Sequence, residues 1–328
     1  MRLLSSLLTL LPFLGITTAA PTDAAATTTT SSSSSIPTPD PDGKYWITSP
    51  TLQLAFVPYG ASLSNLLLTS KTGQKLDIVT GFDNAAAYTL DKAHAHFGGV
   101  PGRYANRIRN STFEIDGRAY HVVPNDNPTA QSPQGADTLH GGPDGWDWRN
   151  FTVVAHTDRS ITFEIVDPDG AQGFPGEVRS LITYTVEGDR WEIEMSAVST
   201  EKMTPIMLSS HVYWNLDGFR NEDTDLALGH VLHMPYAGSR IDVDGILIPT
   251  GDLLANEEGG VNDFWSEPRE VGFAFKNPEL EGNCGTGCTG YGSFLFPFPF
   301  LSAYHHQPLP FLFFFSSSLP LIVHFQNR

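Results

Sequence analysis

The chain has 328 residues, 36 of them acidic and 19 basic, for a formal net charge of -17. Such a balance excludes the cationic surface that nucleic-acid phosphates need and disfavours docking on an anionic membrane. Two cysteines are too few for a disulfide-framed scaffold or a four-cysteine zinc site, while 30 Gly, 24 Pro and 21 Phe point to a turn-rich β fold.

Residues 1–20 have the form of a secretory signal peptide: Arg2, a mostly apolar run to Ile16, then the small residues Thr18-Ala19-Ala20. The run is short and interrupted for a bilayer span, which disfavours a membrane anchor. Residues 21–42 form a Thr/Ser/Pro/Ala tract without the apolar side chains that offset ordering entropy, and are expected to be a flexible linker. The mature protein is thus expected to start near Pro21 and to be extracellular, where disulfides persist. Asn110-Ser111-Thr112 and Asn150-Phe151-Thr152 are N-glycosylation sequons, making Asn110 and Asn150 candidate sites.

The stretch 43–291 reads as β-sheet. Leu52–Val57, Phe113–Ile115, Ile161–Val166, Leu181–Val186 and Trp191–Met195 are strand-like, several with period-two alternation, and turn residues such as Pro58-Tyr59-Gly60, Asp116-Gly117 and Asp167-Pro168-Asp169-Gly170 bound them. No long amphipathic helix intervenes, so an all-β antiparallel sandwich is expected.

Three segments carry candidate chemistry. Gly102–Ile108 holds Arg103, Asn106 and Arg107, planar or mixed donors suited to vicinal hydroxyls, with a solvated loop as the plain alternative. Leu139-His140-Gly141-Gly142 sets an imidazole before glycines that allow close backbone approach. In His211-Val212-Tyr213-Trp214, extended geometry puts His211 and Tyr213 on one face, an acid/base group beside a ring that can stack on a sugar. His94-Ala95-His96 lacks a nearby third ligand and is set aside as a metal pair. Cys284 and Cys288 are expected to form a local disulfide.

From Ser293 onward, 25 of 36 residues are Phe, Leu, Pro or Ser, and Arg328 is the only formal charge. Those four residue types are the ones pyrimidine-only codons encode. Residues 292–328 are therefore expected to be an aberrant tail of the translated-intron kind, with native sequence ending near Tyr291.

Taken in order, Gly102–Ile108, Leu139–Gly142, Gly173–Glu177, His211–Leu216 and Ile248-Pro249-Thr250-Gly251 resemble the aldose 1-epimerase (galactose mutarotase) family; Glu281–Asn283 and Cys284…Cys288-Thr289-Gly290-Tyr291 resemble its secreted branch. The resemblance implies a large antiparallel β-sandwich that interconverts the α and β anomers of free hexoses such as galactose or glucose, without a metal or organic cofactor. It implies His211 as general acid, His140 as a second active-site histidine, and Asn106 and Arg107 as substrate-binding residues. Two departures stand out. Gly292 occupies the place of the family's aspartate, and no carboxylate side chain follows Tyr291, so the family's general-base glutamate has no counterpart here. A G-initial aspartate codon interrupted by an intron beginning GT would read as glycine. The expectation is a sandwich incomplete at its C-terminus and an impaired chain. The competing expectation is a non-catalytic sugar-binding protein on the same fold.

Overall fold

Alternation in the sequence becomes alternation of burial across two antiparallel sheets. The computed structural model describes residues 38–91, 96–285, 287–292, 295–296 and 321–324. These lie in one unit, Pro37–Arg328; the other, Met1–Ile36, falls outside the described residues, as do the expected signal peptide and most of the expected linker. The linker's last residues do belong to the fold. Asp40 closes a turn by accepting from the backbone N–H of Lys44 (2.8 Å) and from Trp46 Nε1 (2.7 Å), the local chemistry that makes Asp a turn former.

The first sheet takes β1 (Tyr45–Thr48), β2 (Leu52–Val57), β3 (Ser62–Thr69) and β4 (Lys75–Asp77) in chain order. A separate hairpin joins β5 (Thr112–Ile115) to β6 (Arg118–His121). Its two-residue turn puts Asp116 at φ 50° and Gly117 at φ 75°, the left-handed pair that matches strand twist in tight hairpins. The second sheet runs through β7 (Thr152–His156), β8 (Ser160–Asp167), β9 (Val178–Glu187) and β10 (Arg190–Ser199).

Beyond it come β11 (Val231–Leu232), β12 (Ser239–Val243), β13 (Pro249–Ala255) and β14 (Arg269–Glu270). Two stretches of the segment expected to lie outside the fold are strands. These are β15 (Leu295–Phe296), paired with β12, and β16 (Leu321–His324), paired with β10 at the edge of the second sheet.

The two sheets face each other across one core. Leu52, Leu54, Phe56, Leu63 and Leu66 of the first pack with Ile161, Phe163, Ile182, Tyr184, Val186 and Trp191 of the second. Phe56 stacks on Tyr184 with centroids 4.3 Å apart, and the Tyr184 hydroxyl donates to the Ala61 carbonyl at 2.8 Å. Full burial of each such side chain contributes about 1.5–3 kcal/mol over exposure.

This sandwich positions the site through its connections. Val100 N–H donates to Gly60 O (2.9 Å), Leu63 N–H to Gly98 O (3.0 Å), and Gly60 N–H to Arg149 O (2.8 Å), so the loops 96–108 and 139–149 are pinned to the entry of β3.

Candidate active site

His140 sits where two sequence motifs are stitched together. Ile108 and Thr138 form an antiparallel bridge, with N–H···O distances of 2.8 and 3.2 Å. The chain then turns through His140 at φ 53° and Gly141 at φ 84°. A Cβ on Gly141 would lie 1.9 Å from Gly102 O, so glycine is required there. His140 Nδ1–H donates to Ala105 O, which leaves Nε2 of the neutral ring as an acceptor.

His211 arrives on an extended run beside the first motif. Ala105 N–H donates to Met207 O (2.8 Å), Met207 N–H to Arg103 O (3.0 Å), His211 N–H to Gly99 O (2.9 Å) and Gly98 N–H to His211 O (2.9 Å). The run is not a sheet strand, but its geometry still puts His211 and Tyr213 together, with ring centroids 5.1 Å apart. His140 and His211 meet edge to face at 5.4 Å and 87°.

The two arginines of the first motif part company. Arg103 is buried, and its guanidinium bonds Asp167 (2.9 and 2.7 Å), the carbonyls of Pro175 (2.9 Å) and Gly176 (2.8 Å), and Thr204 Oγ1 (3.2 Å). It holds loops together and offers nothing to a ligand. Arg107 is half-buried, directs Nε to Asp126 at 2.6 Å, and carries no other hydrogen bond from its guanidinium among the described residues. Asn106 accepts from the backbone N–H of Arg107 at 2.7 Å. Both follow directly on Ala105, whose carbonyl fixes His140. Of the sequence candidates, the structure therefore gathers His140, His211, Asn106 and Arg107 on segments hydrogen-bonded to one another, and sends Arg103 elsewhere.

Sequence reasoning missed a second pair. His96 Nδ1 bonds the buried carboxylate of Asp147, and the His96 ring lies 4.6 Å from that of His140 and 5.2 Å from that of His211. His94, its companion in the discounted metal pair, lies outside the described residues. No group of three or more His, Cys, Asp or Glu side chains could hold a metal among the described residues.

Burial makes both predicted histidines harder to protonate. Burial first, then His96, pushes His140 down to about 4, with Asp147 opposing. Burial and then His96 also lower His211, again against Asp147.

Asn110 and Asn150 are both exposed. Cys284 and Cys288 are joined, their Cα atoms 5.4 Å apart. Tyr291 packs its ring edge-on against Phe264 at 5.1 Å, and its buried hydroxyl has no hydrogen-bond partner among the described residues.

A family model for aldose 1-epimerase matches residues 44–296. The chain belongs to the aldose 1-epimerase family. A probable aldose 1-epimerase of Arthroderma benhamiae is 38% identical over 262 residues, covering 75% of this chain and 57% of that protein. The galactose mutarotase of Homo sapiens is 31% identical, covering 73% and 65%. A solved aldose epimerase homologue from C. elegans superposes with a TM-score of 0.60 at 32% identity, covering 70% of this chain and 65% of that one. The galactose 1-epimerase structure from Lactobacillus acidophilus, at 20% identity and a TM-score of 0.58, shares the fold. The chain thus spans 57% to 65% of the length of these curated relatives.

Proposed function

We propose that the protein is an extracellular aldose 1-epimerase acting on a free hexose such as galactose or glucose. The observation that carries this reading is the edge-to-face pair of His140 and His211, with His140 held by the residue just before Asn106 and Arg107. Asn106 and Arg107 bind ring hydroxyls. His140 Nε2 accepts from a hydroxyl and polarises the sugar. His211 delivers a proton to the ring oxygen as a base removes one from the anomeric hydroxyl. The C1–O5 bond opens, the aldehyde rotates, and closure on its other face returns both protons. Burial opposes the imidazolium of His211, and Asp147 is the described carboxylate that favours it.

We propose further that this chain runs the reaction slowly. Its last acidic residue is Glu281, so residues 282–328 provide no carboxylate side chain as base. The test is optical rotation: the chain extended by a C-terminal segment carrying a glutamate should anomerise galactose faster than buffer alone. A rate equal to the spontaneous one would end the enzyme reading. Sequencing the spliced transcript across the Tyr291 codon tests the expected tail independently. The missing carboxylate also favours a second reading, a sugar-binding protein without catalysis, which binding without anomerisation by the extended chain would select. The signal-like residues 1–20, the exposed Asn110 and Asn150, and the Cys284–Cys288 link support secretion.

A further inference from the structure

Asp147 is an unusual group to find beneath a sugar site. Its side chain is wholly inaccessible, one oxygen has no hydrogen-bond partner among the described residues, and the other bonds His96 Nδ1. A buried carboxylate demands a compensating donor, so the pair fixes both the tautomer and the orientation of His96. With Nδ1–H committed to Asp147, the Nε2 of a neutral His96 carries a lone pair, the same state His140 reaches through Ala105.

The placement of His96 is equally constrained. It occupies the left-handed region at φ 62°, as His140 does at φ 53°. Gly99 N–H closes the turn onto His96 O at 3.0 Å, and the same turn exchanges two backbone hydrogen bonds with His211. Side chains held in such conformations cluster at functional sites. The ring retains 21% exposure while packing against His140, His211 and Trp148. The ring is therefore partly open to solvent while standing directly beside the two predicted histidines.

We propose that His96 is a third sugar-contacting histidine, oriented by Asp147, whose Nε2 accepts a hydrogen bond from one hydroxyl of the bound aldose and so contributes to the choice of sugar. The inference rests on the reading that the site takes a free aldose. It assigns His96 a place in binding and discrimination and gives it no proton-transfer step.

The alternative is that His96 merely compensates Asp147, and the experiment separates the two. Galactose and its monodeoxy analogues are titrated calorimetrically into the full chain and two variants. His96→Asn keeps a donor near the position of Nδ1 and removes the outer acceptor. His96→Gln restores an acceptor near the position of Nε2. The expected result is about tenfold weaker galactose binding by H96N, the scale of one lost hydrogen bond, with substantial recovery in H96Q. Against the single deoxygalactose that lacks the contacted hydroxyl, the H96N penalty should vanish. Equal affinities of the parent chain and H96N for galactose and for every analogue would overturn the proposal.

A readout without mutation guards against misfolded variants. The ¹⁵N resonance of His96 Nε2 in the labelled parent chain should shift on galactose saturation, and no shift would equally overturn it. If galactose binds but the extended chain leaves optical rotation at the spontaneous rate, the epimerase reading fails while the His96 contact is still decided by binding.

Discussion

The guanidinium of Arg103 closes on the carboxylate of Asp167 through Nε at 2.9 Å and Nη2 at 2.7 Å, both side chains shielded from solvent. Arg149 reaches the other carboxylate oxygen of Asp167. This knot ties the first motif to the end of β8 and to the loop before β9. Burial works against the Arg103 charge and Asp167 restores it. Arg103→Met should therefore leave a buried carboxylate undercompensated and destabilise the fold by about 3–5 kcal/mol. Urea unfolding checks this; an unchanged midpoint would make the ion pair dispensable.

Gly98 is a backbone requirement of the site. It adopts φ +64°, and a Cβ there would lie 2.0 Å from Leu63 O. Gly98→Ala should shift the turn that carries His96 and weaken the Gly98 N–H bond to His211 O, lowering both melting temperature and galactose affinity. Gly73, at φ +82° with nothing within 4 Å, is the control. Gly73→Ala should cost only the left-handed strain of about 1–2 kcal/mol and leave sugar binding alone. Equal behaviour of the two variants would contradict this account.

His140 sets an acid limit. Its folded value of about 4 lies below its ordinary 6.5, so between those values the unfolded chain binds a proton that the folded chain refuses. Each step down in pH through that window favours unfolding, and the stability present above 6.5 is lost by about 4. His140→Gln should show a smaller drop in melting temperature between pH 7 and pH 4, seen by calorimetry at each pH. Galactose binding by the parent chain should also fall as His140 gains its proton near 4. Parallel melting curves for parent and variant would refute the assignment.

Tyr184 bridges the sheets through its hydroxyl bond to Ala61 O at 2.8 Å. Tyr184→Phe keeps the stacking on Phe56 and leaves that carbonyl unpaired, so a loss of about 1 kcal/mol is expected in denaturant unfolding.

How much of this was legible depends on which signals are local. Ile161–Val166 and Leu181–Val186 fall inside β8 and β9, where one face meets the core and polar residues or threonines interrupt the other, and Leu52–Val57 coincides with β2, an apolar run buried on both faces apart from Gln53. β3 escaped, since Leu66-Leu67-Leu68 hides its alternation in a continuous apolar run. Arg103 and Arg107 could not be told apart by residue type. What separates them is Asp167, 64 residues from Arg103 along the chain, and Asp126, 19 from Arg107. His96 was invisible for the same reason: its partner Asp147 lies 51 residues away and follows no recognisable spacing. His211 and Tyr213 kept their shared side because any extended backbone, sheet or not, has period two.

His211 is proposed above as the acid in aldose anomerisation, with no carboxylate side chain after Glu281 to serve as its base. The direct test is polarimetry of freshly dissolved α-D-galactopyranose with the full chain in increasing acetate, each point corrected for an acetate-only control. Acetate should stand in for the missing carboxylate, so the account predicts an acetate-dependent acceleration above the control that His211→Ala abolishes. Parent and His211→Ala chains that both track the control at every acetate concentration would contradict it.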